Sequence, residues 1–162
     1  MIQKQVVEHL KELFKDPYVK KHFELIKDPN RYVQAKLQEQ FLIENSNGFF
    51  ISNPLNDYKS PTFDAELDLK FGDFMDIYGN YYDLKTGETY AGSINLSSVN
   101  AFGDTRSNRH WYICTNRTLS KLYIINARTL HVNQNFLCWQ RSSKNNLYIG
   151  EKQYQKMFKS VL

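Results

Sequence analysis

The stretch GDFMDIYGNYYDLKTG, residues 72–87, sets three acids and a lysine on two short apolar runs joined by Gly79-Asn80. In the second run, YYDLKT, the two-residue period of a strand sends Tyr81, Asp83 and Lys85 to one face and Tyr82, Leu84 and Thr86 to the other. Asp83 and Lys85 then stand side by side. Gly79-Asn80 reads as a tight turn, so the strand carrying Asp73 and Asp76 folds back antiparallel and brings at least one of those acids to Asp83. Two carboxylates converge beside one ammonium.

Like charges crowded in this way cost energy unless something neutralises them, and a hard divalent cation held by a few carboxylate oxygens and waters is the usual solution. Mg²⁺ is the expected ion. Such a site can bind a phosphate oxygen and lower the pKa of a water, while the neighbouring lysine positions the nucleophile and offsets transition-state charge. A plain surface hairpin would make the same Asp-Lys pair worth only about 0–1 kcal/mol. The aromatic and aliphatic residues around these charges mark the hairpin as interior instead.

Working outward, the first 45 residues read as helices, with Ile2, Val6, Leu10 and Leu13 in one set and Val33, Leu37 and Phe41 in another. KDP occurs at 15–17 and again at 27–29, where each Asp is expected to cap a helix whose first turn holds the Pro. Asn47-Gly48 ends the third helix. From Phe49 onward β-branched and aromatic residues predict strands at 49–52, 71–77, 81–86, 111–116, 121–126 and 135–139, with helix returning only around 151–161. The expectation is α+β or mixed α/β architecture in a single domain, residues 1–162, with a helical part over 1–46 and a sheet-containing core over 49–162.

Composition narrows the function classes. With 41% hydrophobic and 15% aromatic residues the chain is too apolar for a disordered one. A net charge of +4 permits a polyanionic partner without demanding one. Cys114 and Cys138 are too few for a disulfide scaffold, and no N-terminal run resembles a signal peptide, so a reducing cytoplasm is the expected location. On that reading the sequons at Asn95 and Asn116 are chance matches. No window approaches the roughly 20 apolar residues of a membrane span. Glycine loops that cradle phosphates are absent, and His110, Cys114, His131 and Cys138 lack the close spacing of a zinc site.

Asp73, nine intervening residues, then Asp83-Leu84-Lys85 resembles the PD-(D/E)xK nuclease signature, and GDFMDIYGNYYDLK is similar to the active-site hairpin of small type II restriction endonucleases. HWYICTNRTLSKLYIIN resembles, more faintly, the two strands that follow that hairpin in those enzymes. The resemblance implies a restriction-endonuclease-like fold, a central mixed sheet flanked by helices, with Asp73 and Asp83 binding Mg²⁺ and Lys85 next to the attacked phosphate. The implied activity is cleavage of double-stranded DNA leaving 5′-phosphate ends. Gly72 replaces the family's proline, and Asp83 its commoner glutamate. Asp73 is preferred as the first acid for its family-like spacing, with Asp76 the rival, since a two-residue turn would set Asp76 opposite Asp83. Glu44, extending the Val33, Leu37, Phe41 stripe, corresponds to the extra helix glutamate of some members, the alternative being an exposed helix end.

Segment 87–110, TGETYAGSINLSSVNAFGDTRSNRH with its preceding residue, is polar and long for a connection, which marks a candidate binding loop, the alternative being a plain surface loop. Ser97, Ser98, Asn100, Arg106, Asn108, Arg109 and His110 form a set suited to phosphates and base edges. Apolar residues in the helices, among them Phe14, Tyr18, Phe23 and Phe41, exceed what one small sheet face needs. A homodimer joined partly through them is the economical geometry for a cutter of symmetric duplex sites. Two alternatives stay open: a structure-selective nuclease of junction-resolvase or repair type, and a non-catalytic DNA-binding or interaction domain.

Overall fold

The computed structural model describes residues 2–53, 61, 72–95, 107–133, 140–141 and 147–162. Helix α1 (Lys4–Lys15) buries Val6, Leu10, Leu13 and Phe14, the apolar stripe visible in its sequence. Helix α2 (Pro17–Glu24) starts as its KDP motif predicts, with Asp16 accepting from Tyr18 N at 2.8 Å and Val19 N at 3.3 Å. The second KDP behaves differently. Asp28 closes an Asx turn on Asn30 N at 2.8 Å, and Asn30, not Asp28, caps helix α3 (Arg31–Glu44) through Tyr32 N and Val33 N. Pro29 therefore lies outside the helix.

The register of α3 also departs from expectation. Val33 and Leu37 are exposed and Phe41 is half-buried, while Gln38 and Leu42 face inward. Apolar residues are spread round this helix, so no single stripe outweighs the others and the tertiary contact chooses the buried face. Asn47 and Gly48, both at positive φ, turn the chain after α3.

Strands β1 (Phe50–Ser52), β2 (Phe74–Asp76), β3 (Tyr81–Gly87), β5 (His110–Asn116) and β6 (Leu122–Asn126) form a five-stranded sheet in the order β1-β2-β3-β5-β6. The pairing of β3 with β5 is parallel and the others are antiparallel, so the sheet is mixed. A parallel pair needs a crossover of a dozen residues or more, which accounts for the length of segment 87–110. That segment is not all loop: β4 (Ile94–Asn95) lies within it and pairs with β8 (Leu147–Ile149), which pairs with β7 (Gln140–Arg141) in a second, three-stranded sheet.

Both faces of the main sheet are covered. On one, Phe50, Phe74, Tyr82, Trp111 and Ile113 pack against Val6, Leu10, Phe14, Phe23 and Leu42 from the three helices. On the other, Tyr112, Cys114, Tyr123 and Ile125 pack with Ala91, Ile94, Ala127, Leu130, Ile149 and Tyr154. Strand β5, between β3 and β6, is buried along its whole length, as a strand covered on both faces must be. Phe14 and Phe23 are fully buried core residues, so they are not surplus surface for a partner; Tyr18 alone of the four named aromatics is strongly exposed.

Helix α4 (Ala127–Val132) was not expected from the sequence; Asn126 caps it, accepting from Thr129 N at 2.9 Å. The closing helix α5 (Glu151–Tyr154) is shorter than the 151–161 span expected and passes into turns. Its Glu151 ties the second face together, accepting from Ala91 N at 2.8 Å and Lys121 Nζ at 3.0 Å. Expected strand 135–139, and Cys138 with it, lies outside the described residues. No helix among the described residues is long and apolar enough to cross a membrane.

Candidate acid-lysine site

The hairpin β2–β3 pairs Phe74 with Tyr82 and Met75 with Tyr81, and just before β2 Asp73 N donates to Tyr82 O at 2.8 Å, which brings Asp73 beside Asp83. The connecting turn runs through Ile77, Tyr78 and Gly79 and is longer than the two residues expected. Asp76 explains the difference. Its buried carboxylate accepts from Tyr78 N at 2.7 Å, Asn80 N and Asn80 Nδ2 at 3.0 Å each, and the Tyr82 hydroxyl. Burial and this bond to Asp76 push the Tyr82 hydroxyl above its ordinary range. Asp76 is therefore the organiser of the turn, paired with Phe50 in the sheet and not facing Asp83. Four donors engage its carboxylate, whereas Asp73 is the acid whose ionisation is tied to that of Asp83.

The Asp73 and Asp83 carboxyls lie close enough to govern each other's ionisation. Burial, and then the charge of Asp83, push the Asp73 carboxyl up from 3.8 to about 10, so it holds a proton at neutral pH. Burial works against ionisation at Asp83 too, but the hydrogen bond and electrostatic pull of His110, aided by Lys85, outweigh it and hold Asp83 below the usual carboxylate range. One of two neighbouring acids thus holds a proton. That arrangement fits a divalent cation, because Mg²⁺ takes one or two carboxylates with the rest of its shell from water and phosphate. Among the described residues, no three acidic, histidine or cysteine side chains gather closely enough to ligate a metal by themselves.

Lys85 follows Asp83 on the same face of β3, beside Cys114 in the neighbouring strand. Its Nζ lies 5.7 Å from the centroid of the Tyr112 ring, and the Tyr112 hydroxyl bonds Nε2 of buried His131 on α4 at 2.9 Å. The lysine stem is thereby held over a ring that is itself anchored. Cys114 is fully buried, and burial pushes its thiol up to about 12, leaving it inert.

His110 differs from its expected role in reading DNA. Its side chain is 0% exposed, and Nε2 lies 2.7 Å from Asp83 Oδ2. The parallel pairing causes this, since it sets the first residue of β5 beside Tyr81 and turns the ring inward toward the acid. Gly72 faces the same contact. At its φ of +84° a Cβ would stand 2.8 Å from His110 Nε2 and 3.0 Å from Asp83 Oδ2. Proline, with φ fixed near −65°, has no place there.

Glu44 is exposed and accepts from Gln40 Nε2 at 3.1 Å, away from the acids. The glutamate of α3 that does bear on them is Glu39, whose charge raises Asp73 further while Lys36 opposes it. Glu39 was missed because it lies off the Val33, Leu37, Phe41 stripe used to orient the helix. Of the expected DNA-binding residues, Asn108 and Arg109 are exposed, and Arg109 Nη2 donates to Tyr78 O at 2.6 Å across the hairpin turn. Ser97, Ser98, Asn100 and Arg106 lie outside the described residues. A separate cleft of about 330 Å³ between α3 and β3 meets Leu84 and Thr86, the face of β3 opposite Asp83 and Lys85. No family model, curated protein or solved structure matches the chain.

Proposed function

We propose that this protein is a Mg²⁺-dependent endonuclease that cuts double-stranded DNA, a PD-(D/E)xK enzyme of restriction-endonuclease-like fold and type II site-specific habit, acting as a homodimer. The observation that carries the reading is the singly protonated pair Asp73–Asp83 with Lys85 on the same face of β3. A folded chain gains nothing from opposing two half-buried carboxylates, and such stored cost is characteristic of sites built for a ligand that replaces the proton.

When bound, Mg²⁺ supplies Lewis-acid polarisation of a phosphate oxygen and acidifies a water. The protein's own part is to hold and to balance. Asp73 and Asp83 would hold the ion, Asp83 being already ionised and Asp73 becoming so by releasing its proton to solvent. Lys85 offsets the negative charge that builds on the phosphate oxygens as water adds to phosphorus. The bond from phosphorus to the 3′ oxygen breaks, that oxygen takes a proton, and a 5′-phosphate and 3′-hydroxyl remain. Two copies related by a two-fold axis would each cut one strand of a symmetric site.

Incubating the purified chain with bacteriophage DNA and Mg²⁺ tests the reading. Discrete fragments are expected, and they should vanish with EDTA. Preference for branched over linear DNA would instead indicate a junction-resolving nuclease, and absence of any metal-dependent cleavage would overturn the enzyme reading.

A further inference from the structure

The Asp83–His110 contact goes beyond the acid-lysine motif. His110 is wholly buried, and its Nδ1 finds no hydrogen-bond partner among the described residues. A polar ring kept inside with one nitrogen unmet is a standing cost, and each such case needs a reason. What the ring does make is one short bond, Nε2 to Asp83 Oδ2 at 2.7 Å, where a carboxylate can only accept and Nε2 must carry the proton. The chain is shaped around that bond. Gly72 adopts φ +84° and leaves the space a Cβ would fill to His110 Nε2 and Asp83 Oδ2. Behind the imidazole, the Tyr112 ring stands 5.3 Å away, centroid to centroid, at 55°.

We propose that His110 is a positioning residue for the acid pair: by taking Oδ2 of Asp83 it fixes the carboxylate's rotation and leaves the other oxygen to a divalent cation shared with Asp73. This rests on the metal-dependent reading above. A carboxylate with both oxygens unheld turns about its last bond, and every turn away from the binding orientation weakens the ion's hold. Partners that orient a metal ligand in this way are worth about 10–100-fold in affinity or activity. Glycine at 72 follows from the same contact, since any side chain there displaces either the ring or the acid.

The test is titration of the full chain with Mn²⁺ by calorimetry in the absence of DNA, comparing the parent with His110→Phe and His110→Gln. Phenylalanine fills the space without a donor, whereas the glutamine amide can donate to Oδ2. The expected result is at least a tenfold loss of Mn²⁺ affinity in His110→Phe with secondary structure retained, and recovery of most of it in His110→Gln. Unchanged affinity in His110→Phe, or an equal loss in both variants, overturns the proposal. A parent that binds no Mn²⁺ overturns the metal reading and the proposal together, while binding that His110→Phe leaves intact overturns the proposal alone. Should the phenylalanine variant fail to fold, the imidazole nitrogen spectrum of the parent decides: protonated Nε2 is expected, and an Nδ1-protonated ring with bare Nε2 sinks the assignment.

Discussion

Asp73 and Asp83 stand beside each other at the β2–β3 hairpin with their acidities driven apart, Asp73 held there by its N–H to Tyr82 O at 2.8 Å. The raised Asp73 and the lowered Asp83 are two halves of one arrangement. What neutralises the pair in the isolated chain is the proton, and whatever replaces that proton gains the most at high pH.

Stability should follow. Asp73 is raised in the folded state from 3.8 to about 10, so its contribution is full below its unfolded value and is lost as pH climbs through that window. The metal-free protein is expected to melt at progressively lower temperature from about pH 5 to pH 9, and Mg²⁺ should restore more at the upper end. Asp73→Asn, which keeps the shape and removes the charge, should flatten the profile, raise the melting temperature at pH 8 and abolish cleavage. A melting profile unaltered by this substitution would contradict the singly protonated pair.

Asp76→Ala should act on the fold first. It strands buried donors at Asn80 and Tyr82 and a part-buried one at Tyr78, each loss of a charge-assisted bond being worth about 1–3 kcal/mol. Chemical denaturation should show a drop of that order or more, with cleavage by the folded fraction surviving. Full stability with no activity would return Asp76 to the site.

Lys85→Met is expected to leave the fold and Mn²⁺ affinity near those of the parent while cleavage falls by about two orders of magnitude or more. Calorimetry and a plasmid-cutting assay on the same preparation check both halves. Cutting at the parental rate would remove Lys85 from the chemistry.

The two helix glutamates should separate cleanly. Glu39→Gln relieves part of the repulsion on Asp73 and should lower its pKa, visible in carboxyl NMR titration, whereas Glu44→Gln, at an exposed helix end, should leave that titration unchanged. Identical shifts in both variants would mean that α3 does not orient Glu39 toward the pair.

Arg109 already gives one donor to Tyr78 O, so the rest of its exposed guanidinium is what remains for DNA. Arg109→Ala is expected to weaken cognate and random duplexes alike and reduce the salt slope by about one, the signature of a phosphate contact. Loss confined to the cognate duplex, about 1–3 kcal/mol, would instead mark a base contact.

Local pattern was enough to specify the helices of the first 45 residues and the strand period that puts Asp83 beside Lys85. These depend on near neighbours in the chain, where side-chain direction repeats with a known period. Tertiary structure alone decided the rest. Whether Asp76 caps a turn or faces Asp83 depends on a register set by how Phe50 and Phe74 bury themselves. Which glutamate of α3 matters depends on a helix rotation that its scattered apolar residues leave undetermined. The partnership of His110 with Asp83 spans 27 positions and exists only because β5 lies parallel to β3, a pairing whose crossover no local pattern announces.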